Sequence, residues 1–343
     1  MRLSDIEAQE IGVRALQFSI QHPSVAHAYL FAGPKSTGKT TAALAFAAAL
    51  NCPEPTEDGD SCGLCMSCVR IQAGTDADVS VISPDGDQTK IEQMHGMIRD
   101  LSFAPLSGRY RVFVIERADT LNPHSENCIL KILEEPPPYA VLILLSHNPN
   151  GLLPTIRSRC RIVRFRRAST TEVEGAIRKG FDLPHDQIHV IAACSQGAVG
   201  RAFRMASEPK FAEERQAVLQ TLKEWAEGPE VMSLRAAETL RRLAERKKND
   251  PDERTRITRL TEMLEHVIAW YADLLALKVR GREAPLTNAD YAEDLNVQAG
   301  RYSVGRLSRA IRIIMDTRRY LEGYITPQLA LENMFFDLRP DLA

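Results

Sequence analysis

Residues 27–40 read HAYLFAGPKSTGKT, and this stretch indicates which fold the first part of the chain adopts. A short apolar run ends at Gly33, and the alanine-rich segment TTAALAFAAALNC (40–52) follows the glycine-containing turn. The pattern G-x-x-x-x-G-K-[ST] between a strand and a helix is typical of a loop that binds phosphate. We therefore predict a strand, a phosphate-binding loop and a helix here.

The predicted loop is a candidate site for ATP and Mg²⁺. Its glycines let backbone N–H groups curl around the phosphates, and the start of the helix adds a favourable dipole end. Lys39 is predicted to reach the β- and γ-phosphates, and the Thr40 hydroxyl to ligate Mg²⁺. The predicted nucleotide-binding residues of this stretch are Gly33, Pro34, Lys35, Ser36, Thr37, Gly38, Lys39, Thr40 and Thr41.

A second strand, YRVFVIE (110–116), ends at Glu116, which we predict to be the acid beside the metal ion. Nucleotide-hydrolysing domains usually carry a second acid at the next position, and here that position holds Arg117. An arginine does not act as a general base in a protein. Asp119 could compensate in principle, but we expect slow hydrolysis of bound ATP or none.

Strands and helices alternate over the first part of the chain. Further strands are predicted at 78–84, 140–148 and 159–165, and helices at 4–21, 89–103 and 125–137. This alternation predicts an α/β domain with a parallel sheet. After the strand at 159–165 the sequence predicts no further strands. A short helical module (167–207) and long amphipathic helices (208–343) follow, and the charged stretch at 245–256 is predicted to be a turn.

Composition places broad limits on function. The 343 residues are 44% hydrophobic and 26% charged, which is typical of a globular protein. The formal net charge of −2 argues against a general nucleic-acid coat but leaves room for a local basic surface. No apolar run approaches eighteen residues, so we expect neither a signal peptide nor a membrane span, and a cytoplasmic protein.

Four of the seven cysteines cluster between residues 52 and 68. The spacing C-x9-C-x2-C-x2-C on a turn-rich loop offers four thiolates, and structural Zn²⁺ takes four such ligands. The predicted ligands are Cys52, Cys62, Cys65 and Cys68. The alternative is a set of reduced thiols without metal. The scattered remainder, Cys128, Cys160 and Cys194, are predicted to be buried small hydrophobic residues.

These pieces, in this order, resemble the bacterial DNA polymerase III clamp-loader subunits, a branch of the AAA+ ATPases. The resemblance rests on HAYLFAGPKSTGKT, CGLCMSC, GRYRVFVIERAD, CILKILEEPP and LLPTIRSRC (152–160), with TPQLALENMFF (326–336) near the end. It implies an AAA+ nucleotide-binding domain over 1–166 with a zinc-binding insertion (52–68), a helical lid over 167–207 and a helical collar over 208–343.

The resemblance also implies partners and site residues. The family's subunits, gamma/tau and delta among them, form a hetero-pentamer that holds open a sliding clamp and threads primed DNA through it, contacting the DNA backbone without reading sequence. Arg159 resembles the family's arginine finger, which reaches a nucleotide in the neighbouring subunit. The family's sensor residue lies among residues 146–148, with Asn148 our candidate, and Arg201 is a candidate nucleotide-sensing arginine.

Two subunit types share this signature, the gamma/tau motor and the delta-prime subunit. The Glu116-Arg117 pair, the absence of a long extension after the collar and the GAVGRA stretch (197–202) favour the delta-prime type. That type implies a static subunit with weak or absent ATPase activity. The alternatives are a motor that hydrolyses ATP itself, a nucleotide-independent scaffold and, more distantly, a P-loop kinase.

Overall fold

The computed structural model describes the chain apart from four internal gaps, two single positions and the last residues. The described residues are 1–22, 25–85, 89–208, 210–245, 253–321, 323 and 326–339. They form two compact units. The first comprises Met1–Gly180 and Ser195–Phe203, and the second comprises Phe181–Cys194 and Arg204–Ala343.

The first unit is built on a five-stranded sheet. The strands are β1 (Ala28–Ala32), β2 (Val79–Ile82), β3 (Arg111–Ile115), β4 (Ala140–Ser146) and β5 (Arg161–Arg164). Their order across the sheet is β2-β3-β4-β1-β5, and every pairing is parallel. The predicted parallel sheet is confirmed, and it brings the carboxyl ends of all five strands to one edge.

Both faces of this sheet are covered. Successive residues of β1 alternate between two cores: Tyr29 and Phe31 pack with α2, whereas Leu30 packs with the helices on the opposite face. Parallel sheets covered on both faces have strands that read as continuous apolar runs. The seven residues of β4 are accordingly all buried.

Helices of the first unit flank the sheet. They are α1 (Glu10–Gln21), α2 (Lys39–Asn51), α3 (Met66–Gln72), α4 (Ile91–Leu101), α5 (Pro123–Glu134), α6 (Pro154–Arg157) and α7 (Thr170–Gly180). The helix predicted over 4–21 begins only at Glu10, because residues 3–5 form a 3₁₀ turn and Ala8 has a left-handed backbone with φ 60°.

The second unit is helical and has its own core. Its helices include α8 (His185–Cys194), α10 (Phe211–Glu227), α11 (Met232–Ala244), α12 (Glu253–Arg280), α13 (Ala292–Ala299), α14 (Val304–Leu321) and α15 (Pro327–Leu338). Buried Trp225, Trp270, Tyr271 and Phe335 contribute large apolar side chains to this core. The prediction of an all-α second part is confirmed. Most of the turn predicted at 245–256 lies outside the described residues.

The helical module predicted over 167–207 contains α7, α8 and α9 (Val199–Ser207). Helix α7 and the first turns of α9 group with the first unit, whereas α8 groups with the second. The division into three domains at residues 166 and 207 therefore stays a prediction. Among the described residues, every helix is too short or too polar to cross a membrane.

Candidate nucleotide and metal sites

The predicted phosphate loop connects the end of β1 to the start of α2. Gly33 donates its N–H to the Ser146 carbonyl at 3.1 Å, at the end of β4. A Cβ on Gly33 would stand 2.2 Å from the Phe165 carbonyl oxygen, so only glycine fits here. Ser36 and Gly38 have left-handed backbones, with φ 58° and 90°. The loop therefore curls, and the amino end of α2 lies directly beside it.

Lys39 is buried within the loop. Its Nζ donates to the carbonyl oxygens of Gly33 at 2.7 Å and of Pro34 at 2.6 Å. Burial lowers the pKa of Lys39 from 10.5 to about 8, and the nearby charge of Asp119 opposes that shift. An ammonium group held in a low-dielectric loop is suited to an anionic ligand such as phosphate, because a phosphate would favour its charged form.

The predicted magnesium side of the site is also assembled. Thr40 Oγ1 donates to Glu116 Oε1 at 3.0 Å, although the two residues are 76 positions apart. Ser83, which sequence reasoning missed, donates its hydroxyl to Glu116 Oε2 at 2.8 Å. Hydroxyl and carboxylate oxygens are ligands that Mg²⁺ prefers. The position of Ser83 after a strand was the signal that could have identified it.

Arg117 and Asp119 occupy the turn after β3. Arg117 has φ 48° and precedes the 3₁₀ turn Ala118–Thr120. Asp119 Oδ1 accepts a hydrogen bond from the His147 N–H at 2.9 Å, and its charge acts on Lys39. Asp119 is therefore a second acid near the phosphate loop, at a position different from the usual one.

The end of β4 presents three polar residues with different surroundings. Ser146 is fully buried, and its Oγ has no hydrogen-bond partner within the described residues. Burial lowers the pKa of His147, and the positive charge of Lys39 lowers it further. Asn148 precedes a 3₁₀ turn and accepts the Gly151 N–H through its carbonyl oxygen. His147 thus lies within electrostatic reach of Lys39, and the sensor role of Asn148 stays a prediction.

The two predicted arginines lie on different parts of the first unit. Arg159 Nη2 donates to Glu134 Oε1 at 3.0 Å, and its Nη1 donates to the Thr155 carbonyl at 3.1 Å. Its side chain is 37% exposed. Arg201 follows Gly200, whose N–H donates to the Ser36 carbonyl in the phosphate loop at 3.0 Å. The amino end of α9 thus meets the loop.

The four clustered cysteines converge. Their sulfur atoms all lie within 4.8 Å of one another. The Cys52–Cys65 and Cys62–Cys68 sulfur distances are 4.0 and 3.9 Å. Tetrahedral zinc with bonds of about 2.3 Å to sulfur requires sulfur atoms about 3.8 Å apart. The donor set and its spacing therefore fit a closed structural zinc site.

Backbone groups prepare this cluster for a cation. Hydrogen bonds from the N–H groups of Leu64 and Cys65 lower the pKa of Cys62 to about 6. Burial raises the pKa of Cys68 to about 12 and also raises that of Cys52. A bound divalent cation deprotonates coordinating thiols, so the remaining protons would leave as the metal binds.

Two family models match the chain, one on each unit. A model described as "DNA polymerase III, delta subunit" matches residues 8–169, and one described as "DNA polymerase III, delta subunit, C terminal" matches residues 209–339. The delta' subunit of Bacillus subtilis is 26% identical over 343 residues, which cover 99% of each chain. This chain belongs to the clamp-loader subunits of DNA polymerase III. The resemblance found in the sequence is confirmed.

Relatives of the gamma/tau type match about half of this clamp-loader subunit, and a smaller share of their own length. The tau subunit of Bacillus subtilis is 32% identical over 209 residues, which cover 60% of this chain and 37% of tau. The Escherichia coli tau subunit is 36% identical over 157 residues, 46% of this chain and 24% of tau. The chain thus spans less than two fifths of these tau subunits, but nearly all of delta'. It is a clamp-loader subunit of the delta-prime type.

A solved structure supports the fold of this delta-prime-type chain. A DNA polymerase III gamma-subunit-related protein from Thermotoga maritima superposes with a TM-score of 0.51 at 16% sequence identity, covering 95% of this chain and 97% of that one. At this level of identity the likeness concerns the fold. It agrees with a P-loop sheet domain followed by helices.

Proposed function

We propose that this delta-prime-type subunit holds ATP with Mg²⁺ without hydrolysing the ATP, and supplies Arg159 to the ATPase site of a neighbouring subunit. Lys39 would hold the phosphates, while Thr40 and Glu116 would hold the ion. Bound Mg²⁺ would neutralise phosphate charge. The observation that carries the static role is Arg117, which takes the place of the second acid.

Arg117 provides no group that accepts a proton from water. Arg117, with its left-handed backbone, also directly precedes the 3₁₀ turn that contains Asp119. The carboxylate of Asp119 is already bonded to the backbone of His147. This bond supports a positioning role for Asp119 on the loop after β4, with nothing left in the usual place to orient an attacking water.

Arg159 is suited to act in a second subunit. Its ion pair with Glu134 is solvent-accessible, with 37% and 54% of the two side chains exposed. Exposed pairs of this kind contribute at most about 1 kcal/mol. The guanidinium can therefore leave Glu134 at small cost and neutralise charge on a phosphate across an interface.

One observation favours a second candidate function. Asp119 lies close enough to Lys39 for its charge to raise the pKa of that lysine. A carboxylate in this place could polarise water and make the chain a motor that hydrolyses its own ATP. The static role and the motor make opposite predictions for the isolated chain.

The proposed setting is a clamp loader in the cytoplasm. In it this chain joins gamma/tau and delta subunits in a hetero-pentamer that loads a sliding clamp onto primed DNA. The relatives are DNA polymerase III subunits, which supports such an assembly. Arg161 and Arg164 on β5 are exposed and suited to a phosphate backbone, which proteins contact without reading sequence. Zinc at the four cysteines would be structural.

Equilibrium ATP binding and single-turnover hydrolysis by the purified chain test this proposal. We expect ATP binding that Lys39→Ala abolishes, together with hydrolysis no faster than in buffer. Robust turnover by the chain alone, lost in Asp119→Asn, would establish the motor instead. Failure to bind ATP, with normal assembly in Lys39→Ala, would establish the nucleotide-independent scaffold.

A further inference from the structure

The cysteine-bearing loop (residues 52–68, the metal loop) and the phosphate loop are joined by a third segment. This bridging segment, residues 2–9, contains the 3₁₀ turn Leu3–Asp5 and reaches the start of α1. Leu3 is fully buried in the core that also contains α2. The bridging segment is therefore part of the folded unit and lies between the two candidate sites.

Asp60 of the metal loop holds one end of the bridging segment. Its carboxylate is buried, with 3% of the residue exposed. Oδ1 accepts the Leu3 N–H and Oδ2 accepts the Ser4 N–H, both at 2.9 Å. Two hydrogen bonds from consecutive amides fix the position and direction of that turn, because each oxygen of the carboxylate has its own donor.

A second contact comes directly from a predicted zinc ligand. Arg2 Nη2 donates to the carbonyl oxygen of Cys62 at 2.6 Å. Gly63, the next residue, has φ 75°, and a Cβ there would stand 3.4 Å from Arg2 Nε. The same turn that would present Cys62 to a metal therefore also receives the arginine of the bridging segment.

The other end of the bridging segment meets the nucleotide side. Ile6 Cγ2 lies 4.0 Å from the place where a Cβ on Gly38 would stand, next to Lys39. Gln9 is buried and exchanges two hydrogen bonds with the backbone of Arg166, at 2.7 and 3.0 Å. Arg166 follows Phe165, whose carbonyl packs on Gly33. The bridging segment is thus anchored beside both glycines of the phosphate loop.

We propose that Asp60 and Arg2 couple the metal loop to the phosphate loop, so that zinc binding and nucleotide binding strengthen each other. Asp60 acts as a positioning residue: it fixes residues 3–4 relative to the metal loop, and Ile6 of the same segment packs beside Gly38. The nucleotide part of this inference rests on the proposed function. The metal site would then set the affinity of the phosphate loop in addition to bracing the fold.

Coupling between two binding sites is reciprocal. If zinc raises the affinity for ATP, ATP must raise the affinity for zinc by the same factor. A purely local structural role for Asp60 would change stability but would not produce this symmetry. The test therefore measures each ligand in the presence and absence of the other.

Asp60→Asn is the main variant, because an amide keeps the size of the side chain but replaces one acceptor oxygen with a donor. That donor would face the N–H of Leu3 or Ser4. Asp58→Asn is the matched control, since Asp58 is exposed in the same loop and contributes only its backbone carbonyl, to Gln21. Arg2→Ala is a second variant, which removes the guanidinium group that donates to the Cys62 carbonyl.

The full chain is loaded with Zn²⁺, and its ATP affinity is measured before and after zinc is removed by a chelator. Zinc affinity is measured with and without ATP by competition with a chromogenic chelator. We expect zinc removal to weaken ATP binding about tenfold and ATP to raise the zinc affinity by the same factor. Asp60→Asn should keep its zinc, bind ATP about tenfold more weakly and lose the effect of ATP on zinc affinity. Arg2→Ala should also weaken ATP binding and reduce the effect of ATP on zinc binding. Asp58→Asn should behave as wild type.

Amide hydrogen exchange separates this inference from the proposed function. Zinc removal from the wild-type chain should accelerate exchange in residues 3–6 and 36–41 even if no nucleotide binds. Unchanged exchange in 36–41, or a zinc-loaded Asp60→Asn that binds ATP as wild type does, would overturn the coupling. Accelerated exchange in a chain that fails to bind ATP would support the coupling and contradict only the nucleotide-holding role.

Discussion

Arg117 and Asp119 stand two residues apart after β3, and their surroundings differ. The sequence alone predicted that Arg117 replaces an acid. It could not predict that Asp119 would bond to the His147 N–H, because that contact joins two strand ends 28 residues apart. Contacts of this kind depend on strand order, which a local pattern does not contain. Ser83 on Glu116 was missed for the same reason.

The buried Lys39 ammonium group should make the stability of the fold depend on pH. Its folded-state pKa of about 8 lies below the ordinary 10.5. Below pH 8 both folded and unfolded chains carry the charge, and the folded chain bears the full cost of burying it. Between pH 8 and 10.5 the unfolded chain binds more protons, so stability rises with pH. Relative to Lys39→Met, wild type should gain about 2 kcal/mol between pH 7 and 9.5.

Urea denaturation of both proteins at the two pH values measures this difference. Lys39→Met is the appropriate reference because it keeps the length and most of the volume of the side chain while removing the titrating group. If the difference in stability between the two proteins does not change with pH, Lys39 is not a buried ammonium group with a lowered pKa.

Glu134→Gln tests the exposed ion pair between Glu134 and Arg159. Glu134→Gln should leave the thermal midpoint nearly unchanged, because an exposed ion pair contributes at most about 1 kcal/mol. It should also leave the effect of Arg159 on a partner's ATP turnover intact, since the arginine must leave Glu134 to act. Thermal denaturation and the partner's turnover are the two measurements. A loss of partner turnover as large as in Arg159→Ala would mean that Glu134 orients the arginine.

At the scale of elements, the strands were the most predictable feature. Apolar runs such as AVLILLS, which forms β4, are long enough to identify a strand that is covered on both faces. The start of α1 was less predictable. Apolar spacing continues through Ile6, but the left-handed backbone of Ala8 stops the helix before Glu10. The contacts that fix residues 3–9 come from Asp60 and Arg166, which are distant in sequence.

Two glycines test the packing of these elements. Gly33→Ala should destabilise the first unit by about 3 kcal/mol or more, because its Cβ would meet the backbone of Phe165 at 2.2 Å. Gly96→Ala is the matched control in α4, where a Cβ meets nothing within 4 Å. It should stabilise by about 0.5–1 kcal/mol through helix propensity. Thermal denaturation of both variants measures this, and equal effects would contradict the described contact of β1 with the end of β5.

At the scale of the whole molecule, the chain carries two separate sets of cores. Those of the first unit use residues up to Phe165, and that of the second begins at Val218. The phosphate-loop pattern, the cysteine spacing and the helical second half were together enough to predict the fold class of each part. The boundary between them was not predictable, because α7, α8 and α9 are all short helices and their composition does not say which unit each one joins.

Because the two units have separate cores, a substitution that destabilises one unit should leave the other intact. Asp273 in α12 is buried and accepts hydrogen bonds from the Thr287 and Asn288 N–H groups and from Asn288 Nδ2. Asp273→Ala should therefore destabilise the second unit by about 3 kcal/mol, since three donors lose their acceptor. ATP affinity should stay within twofold of wild type. Exposed Glu283 provides the control variant Glu283→Ala.

Hydrogen exchange resolved by segment, together with ATP titration, measures both effects of Asp273→Ala. Faster exchange should be confined to residues of the second unit. A parallel loss of ATP affinity would show that the integrity of the helical core controls the phosphate loop, contrary to this expectation.

In the proposed role, this subunit holds its own nucleotide statically and acts on a neighbour through Arg159. Single-turnover ATP hydrolysis by a gamma/tau-type partner tests this role, with the partner mixed with wild type, Arg159→Ala or Arg99→Ala, the last removing an equally charged, exposed arginine on α4. We predict that partner turnover falls at least a hundredfold with Arg159→Ala only, as expected for a lost arginine finger. Equal partner turnover with all three proteins would contradict the claim.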